Sequence, residues 1–143
     1  MIIFETHFND LKLETATLQP KHLTVSTDIG PMAYYPRLIS GDRLTTKAFK
    51  LSETGYYEIY MECLQNTAGG RFQCKTANDV VISTKSTYEE FDVPTLYYLG
   101  TIYNTMSKKE RLKFETVSSE ASSDGEVIIG GRIFVEFTEN AFR

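Results

Sequence analysis

The fold of this chain is decided by Thr54–Ala77, which reads TGYYEIYMECLQNTAGGRFQCKTA. From Tyr57 to Cys63 apolar side chains alternate with more polar ones, the period of two that a half-buried antiparallel strand requires. Arg71–Ala77 has the same character over a shorter length, and Thr67–Gly70 supplies the glycines of a tight turn. The stretch therefore predicts a β-hairpin with one face turned toward a core.

The two cysteines of the chain fall within this predicted hairpin. With the turn at Thr67–Gly70, Cys63 would face Cys74, and directly opposed residues have Cβ atoms about 4.5–5.5 Å apart. That separation is near the range of a disulfide, and the alternation turns both sulfurs inward. The pair is predicted either to form a disulfide or to remain a reduced pair in the core. The lack of a secretion signal favours the reduced pair.

Short strand-like segments with turn signals between them recur along the whole chain. No segment longer than about ten residues keeps helical spacing, so the pattern predicts an all-β antiparallel sandwich or jelly roll with little or no helix. A length of 143 residues predicts a single domain over 1–143. The predicted strands are Ile2–Phe8, Leu11–Leu18, His22–Ser26, Arg43–Leu51, Tyr56–Gln65, Arg71–Ala77, Val80–Ser83, Leu96–Asn104, Arg111–Val117 and Arg132–Thr138.

Charge and targeting features limit the classes of partner. The formal net charge of −4 and the pI near 5.2 argue against a nucleic-acid-binding protein, which would carry net positive charge. No apolar run approaches the ~20 residues of a membrane helix, and the first ten residues lack the features of a signal peptide. We therefore expect no nucleic-acid or membrane partner, and a protein that works in the cytoplasm or in a virion.

Sequence motifs of common enzymes are missing. The chain has no GxGxxG, GxxxxGK[ST], HExxH or GxSxG motif. His7 and His22 are the only histidines, and both are expected to be structural. The sequence therefore predicts a non-catalytic protein.

The best candidate for a ligand-binding surface is Asp28–Arg43, DIGPMAYYPRLISGDR. Glycine and proline predict a loop, and loops on a rigid sandwich often carry function. Tyrosine rings can stack on sugars, while arginine and aspartate can bind sugar hydroxyls. The alternative is that the tyrosines close one end of the sandwich. The predicted binding residues here are Tyr34, Tyr35, Arg37, Asp42 and Arg43.

A second candidate surface lies further along the chain. Tyr103 and Asn104, together with Tyr97, are predicted to share a concave face. The alternative for an aromatic side chain in a strand is packing in the core.

The order of motifs over Leu44–Phe137 resembles that of galactose-binding-like β-sandwich modules of the carbohydrate-binding type. The matching stretches are the Gly-Tyr-Tyr-Glu-Ile step from Gly55, the turn at Asn78-Asp79 before a valine strand, and Tyr-Tyr-Leu-Gly-Thr-Ile from Tyr97. A weaker resemblance is to tumour-necrosis-factor-like jelly rolls, which usually form trimers. The first resemblance implies a jelly roll that binds carbohydrate, often with a structural calcium ion. Gly131-Arg132 stands where the resemblance expects an acidic residue, so no cofactor is predicted.

Two functional hypotheses follow. The first is a non-catalytic recognition module that binds glycan through surface loops of the jelly roll. The second is a viral or phage structural protein, such as a capsid decoration, fibre or tail component, that works by self-assembly. The predicted partners are accordingly a glycan or other protein subunits, including further copies of the chain.

Overall fold

The computed structural model describes residues 1–14, 23–34, 41–67, 69–117 and 128–138. Within these ranges the only helical element is a short 3₁₀ helix at Phe8–Asp10, and none of them contains a helix long and apolar enough to span a membrane. The prediction of an all-β fold with little helix is confirmed. The described strands are β1 Ile2–His7, β2 Lys12–Leu13, β3 Leu23–Thr27, β4 Gly30–Tyr34, β5 Arg43–Thr45, β6 Phe49–Leu51, β7 Gly55–Gln65, β8 Arg71–Lys75, β9 Val81–Ser86, β10 Val93–Asn104, β11 Lys108–Glu110, β12 Lys113–Thr116 and β13 Ile129–Thr138.

The strands form two main antiparallel sheets. The six-stranded sheet has the order β10-β7-β13-β4-β3, and β1 also pairs with β13. The five-stranded sheet has the order β2-β5-β12-β8-β9, and a small third sheet contains β11 and β6. Since each strand alternates its side chains between two faces, each main sheet has an inner face toward the core and an outer face.

The core lies between the inner faces of the two main sheets. From the six-stranded sheet, β7 and β13 contribute Tyr57, Ile59 and Val135, which are 2%, 0% and 0% exposed. From the five-stranded sheet, Phe72 and Phe114 meet at a ring-centroid distance of 6.0 Å. Burial of these apolar side chains from both sheets is the main force that holds the sandwich together.

The predicted hairpin at Thr54–Ala77 is wrong in its pairing, although both of its strands exist. β7 pairs with β10 and β13, whereas β8 pairs with β12 and β9 in the other sheet. Cys63 is therefore in register with Thr95, not with Cys74. Alternation identifies a strand and its buried face, but it does not specify the neighbouring strand.

The connection from β7 to β8 passes from one sheet to the other and is held by Thr87. The Thr87 hydroxyl donates to the Gly70 carbonyl oxygen at 3.0 Å and accepts from the Gly70 amide at 3.1 Å. A Cβ atom at Gly69 would lie 2.0 Å from the Thr87 carbonyl oxygen. Gly69 is thus required by close backbone approach, and not by the positive φ that the turn prediction assumed.

Both cysteines are free and buried in the shared core. Cys63 projects from the six-stranded sheet, and Cys74 projects from the five-stranded sheet. Burial raises the pKa of Cys63 to about 12 and raises the pKa of Cys74 further. Both thiols are therefore protonated at neutral pH and pack as small apolar side chains.

The other strand predictions differ from the structure at three places. Arg43–Leu51 was predicted as one strand but contains β5 and β6, which belong to different sheets. β4 lies within the predicted loop Asp28–Arg43. The Gly-Pro pair at its start is a turn signal in the sequence, although proline is accepted near the beginning of a strand. β11 is a three-residue strand that is too short to show a period.

Candidate functional site

A row of aromatic rings crosses the outer face of the six-stranded sheet. Tyr98 of β10, Tyr60 of β7 and Phe134 of β13 occupy neighbouring register positions on these three adjacent strands. The ring centroids of Tyr60 and Phe134 are 5.1 Å apart with an interplanar angle of 18°, and those of Tyr60 and Tyr98 are 5.4 Å apart. We call these three residues the aromatic platform. Tyr98 remains 46% exposed, so the platform presents apolar ring surface to solvent.

A second aromatic pair extends this face along the same two strands. Tyr103 of β10 and Tyr56 of β7 have ring centroids 4.8 Å apart, and Tyr103 is 55% exposed. Glu58 and Glu62 lie on the same face of β7. Glu58 stands between Tyr56 and Tyr60 along the strand, and Glu62 follows Tyr60. The outer face therefore combines flat rings with hydrogen-bond acceptors.

The prediction that Tyr97, Tyr103 and Asn104 share one face is wrong. The register of β10 against β7 shifts between Tyr98 and Gly100, which inserts one extra residue and reverses the alternation. Gly100 takes a φ of 144°, a conformation that favours glycine. Beyond this bulge Tyr103 points outward, whereas Tyr97 and Asn104 point inward.

Tyr97 and Asn104 instead make internal hydrogen bonds. The Tyr97 hydroxyl donates to the Ser86 carbonyl oxygen and accepts from the Gln65 amide, both at 2.6 Å. Burial, followed by the charges of nearby groups, raises the pKa of Tyr97 to about 12. Asn104 is 1% exposed, and its amide donates to the Glu53 carbonyl oxygen at 3.0 Å.

An ion pair lies beside the aromatic platform. Arg132 of β13 donates to Glu62 from its backbone amide at 3.1 Å and from Nη2 at 3.0 Å. Burial acts to raise the pKa of Glu62, but the hydrogen bonds and charge of Arg132 outweigh it, so the net pKa is below its usual value. The Arg132 guanidinium also lies 5.9 Å from the centroid of the Phe134 ring. The pair therefore connects the acidic and aromatic parts of the face.

The described residues do not fit the structural calcium ion that the resemblance implies. Within the last strand Arg132 supplies a cation of its own, and Glu62 is already paired with it. Within the described ranges no three His, Cys, Asp or Glu side chains lie together in an arrangement that could hold a metal ion.

Tyr34, the first of the predicted loop residues, lies in β4 of the six-stranded sheet. It packs against a small apolar cluster of Met32, Leu64 and Ile129. It also lines a cavity of about 320 Å³ together with Asn66 and other residues. Tyr35 and Arg37 lie outside the described residues.

Asp42 and Arg43 lie at the other sheet. Asp42 is 5% exposed, and its carbonyl oxygen accepts from the Thr116 amide at 2.9 Å. Arg43 begins β5 and pairs in register with Glu115 of the five-stranded sheet. Tyr34 and Arg43 therefore belong to opposite sheets, and Asp28–Arg43 is not one continuous loop.

The outer face of the six-stranded sheet is concave at the end near Tyr34. Val25 of β3 and Pro94 of β10 belong to opposite edges of the sheet, yet they line one cavity of about 200 Å³ together with Leu64. The β3 and β10 edges therefore approach each other on the side of the outward-facing Leu64. The face is thus a shallow groove, and not a flat surface.

Sequence reasoning missed the aromatic platform. Tyr60 and Tyr98 were visible as residues on strands, but their grouping with Phe134 depends on the order β10-β7-β13. The available signal was the alternation itself, since Tyr60 and Phe134 both occupy the outward positions of their strands.

Comparison with known proteins identifies similar structures. No protein-family model and no curated protein matches the sequence. Part of a Paenibacillus xanthan lyase superposes with a TM-score of 0.71 at 12% identity, covering 96% of this chain and 13% of that chain. The carbohydrate-binding module CBM36, in complex with calcium and xylotriose, superposes with a TM-score of 0.63 at 9% identity, covering 94% of this chain and 100% of the module.

A third similar structure is a carbohydrate-binding module from Cellvibrio mixtus lichenase 5A, in complex with cellotriose. It superposes with a TM-score of 0.61 at 17% identity and covers 96% of this chain and 99% of the module. At these identities the likeness concerns the fold. The predicted resemblance is confirmed at that level: the chain has the β-sandwich fold of carbohydrate-binding modules.

Proposed function

We propose that this protein is a non-catalytic recognition module that binds a glycan on the outer face of its six-stranded sheet. The observation that carries the proposal is the aromatic platform of Tyr98, Tyr60 and Phe134. A pyranose ring has a face of C–H groups that packs on aromatic rings, while neighbouring acceptors bind its hydroxyls. The shared fold with modules that bind xylotriose and cellotriose adds support.

The shape of the face is consistent with a chain-like ligand. The outward positions of β7 run in order from Leu64 near the groove, past Tyr60, to Tyr56. An extended oligosaccharide laid along β7 would meet the platform in its middle and the Tyr103–Tyr56 pair at one end. The proposal therefore expects affinity to rise with oligosaccharide length.

A second candidate position for the same function is the cavity beside Tyr34. Its lining includes Asn66 and Asp92, whose polar atoms suit sugar hydroxyls. The residues Tyr35, Arg37, Asp42 and Arg43 stay predictions for a loop-based site. The alternative of a viral or phage structural protein gains no support from the similar structures.

The test is calorimetric titration with xylotriose, cellotriose and longer oligomers of each. Tyr60→Ala should weaken binding about tenfold or more, because it removes the middle ring of the platform. Gln73→Ala, at an outward position of β8 on the five-stranded sheet, is the matched control and should bind like wild type. Chromatography of the oligomers after incubation should show them intact, as expected of a protein that binds without catalysis.

Two results would contradict the proposal in different ways. Normal binding by Tyr60→Ala with loss in Tyr34→Ala would move the site to the cavity. Failure of wild-type protein to bind any member of a broad glycan array would reject carbohydrate binding altogether.

A further inference from the structure

The described lysines of this protein all lie away from its six-stranded sheet. Every described lysine lies on the five-stranded sheet, on the β6–β11 pair or between β5 and β6. The strands of the six-stranded sheet carry a single described Lys or Arg residue, Arg132, which is already paired with Glu62. The acidic residues of the same strands are Glu5, Glu58, Glu62 and Glu136.

Two of these acidic residues are directly opposed beside the aromatic platform. Glu58 of β7 and Glu136 of β13 are register partners, each two residues from its strand's platform ring at Tyr60 or Phe134. Directly opposed residues have Cβ atoms about 4.5–5.5 Å apart, and like charges at that distance destabilise a sheet. No Lys, Arg or His of the described ranges forms an ion pair with either carboxylate.

The platform itself is able to accept a cation. Arg132 lies over the Phe134 ring at 5.9 Å, which shows that a cationic group fits against this ring face. Glu58 and Glu136 act on the platform as well: after burial, they are the next largest causes that raise the pKa of Tyr60. The ring faces and the two carboxylates therefore both favour a positively charged group at this place.

We propose that this face selects a glycan bearing protonated amino groups, a glucosamine polymer, and that one ammonium group binds between Glu58 and Glu136 while its pyranose ring packs on the aromatic platform. This rests on the proposed function, because it presumes that the platform binds a glycan. The ammonium group would relieve the repulsion between the two carboxylates. An anionic polyuronate would meet the same carboxylates and be rejected.

The test compares the glucosamine hexamer with the N-acetylglucosamine hexamer, whose amino groups are acetylated and uncharged, by calorimetry at pH 6. At this pH the amino groups of the glucosamine hexamer are largely protonated. Wild-type protein should bind the glucosamine hexamer about two- to fivefold more tightly, the range expected for a partly exposed ion pair. The double variant Glu58→Gln, Glu136→Gln should bind both hexamers alike, whereas the control Glu115→Gln on the five-stranded sheet should keep the preference.

The outcomes separate this inference from the proposed function. Equal or tighter binding of the acetylated hexamer, with both hexamers lost in Tyr60→Ala, would overturn the charge selection and leave glycan binding intact. A charge preference that survives in Tyr60→Ala would overturn the inference too, since the attraction would then not involve the platform. If wild-type protein binds neither hexamer nor any neutral glycan, the proposed function fails with it.

Discussion

The outer faces of the two main sheets follow the same alternation and yet differ in chemistry. On the six-stranded sheet the outward positions bring together aromatic rings and carboxylates, with Tyr60 at the centre. On the five-stranded sheet the outward positions of β8 and β12 carry Arg71, Lys75 and Lys113, and no aromatic ring stands at those positions. Both faces are compatible with the fold, so the fold does not by itself account for the difference between them.

The two faces also differ in how their charges are used. On the five-stranded sheet Lys75 pairs with Glu115 at 3.2 Å, and Lys113 pairs with Asp79 at 3.1 Å. On the six-stranded sheet Glu58 and Glu136 face each other without a described cation. Ion pairs such as those of the five-stranded sheet are common on a solvated surface. The exposed rings of the six-stranded sheet, with carboxylates beside them, are the features on which the proposed binding site rests.

The largest expected effect distinguishes the inner face of a sheet from its outer face by truncating a side chain in the core. Phe114→Ala should lower the free energy of unfolding by about 3–5 kcal/mol, because it leaves a cavity between the sheets. Gln73→Ala, one strand away on the outer face, should change it by no more than about 0.5 kcal/mol. Urea unfolding followed by far-UV circular dichroism measures both. Similar losses in the two variants would contradict the assignment of inner and outer faces.

The next largest effect concerns the ion pairs of the two faces. Arg132→Leu should lower the free energy of unfolding by about 2 kcal/mol, since it leaves the Glu62 carboxylate, which is 7% exposed, without its partner. Lys75→Leu on the five-stranded sheet should cost about 0–1 kcal/mol. A cost for Lys75→Leu equal to that for Arg132→Leu would contradict this contrast.

The Arg132→Leu effect should depend on pH in a defined direction. The pKa of Glu62 is lower in the folded protein than in the unfolded chain, so the ionised carboxylate stabilises the fold. This stabilisation is complete at pH values above the pKa of Glu62 in the unfolded chain. The stabilisation is lost as the pH falls through the lower pKa that Glu62 has in the folded protein. The stability difference between wild type and Arg132→Leu should therefore be full at neutral pH and shrink in acid. A difference that does not change with pH would contradict this assignment.

A smaller effect is expected from the glycine that sets which side chains face outward. Gly100→Ala should cost about 1.5 kcal/mol, since its φ of 144° is strained for alanine and the added Cβ would lie 2.6 Å from Ile82 Cγ2. It should also weaken glycan binding by displacing Tyr98 and Tyr103. Gly41→Ala is the control: its φ of 95° is also positive, but it has open space and lies beside the five-stranded sheet. That variant should keep full binding, and its loss of binding would count against the bulge as the cause.

The smallest expected effect tests how far the proposed binding face extends along the sheet. Tyr103→Ala should weaken binding of a long oligosaccharide about threefold and leave a trisaccharide unaffected, because Tyr103 lies at the end of the proposed track. Titration of both ligand lengths distinguishes this from a general loss. Equal weakening for both lengths would place Tyr103 within the central site.

Most strands could be predicted from the sequence, but the pairing could not. The alternation from Tyr57 to Cys63 correctly identified a strand with one buried face, because side chains on a strand alternate whatever its neighbours are. The partner of that strand depends on which long-range pairing buries the most apolar surface, and local sequence carries little information about it. The predicted match of Cys63 with Cys74 failed for this reason.

The candidate site was less predictable than the fold. Tyr34 and Arg43 are close in sequence but lie on opposite sheets, whereas Tyr98 and Phe134 are distant in sequence and lie on either side of Tyr60. A single extra residue at the β10 bulge then placed Tyr103 on the face opposite to Tyr97, although alternation alone would place both on one face. One inserted residue is hard to recognise in a pattern of alternating side chains, yet it moves every later side chain of the strand to the other face.

By itself, the sequence determined that this protein is an all-β sandwich with acidic net charge and no common catalytic motif. Those properties depend on composition and on local periodicity, which each segment carries alone. Only the tertiary structure decided that the rings of three strands form one exposed platform and that the described lysines lie away from the six-stranded sheet. The physical reason is that a surface is assembled from strands brought together by burial of the core, so its chemistry is a property of strand order.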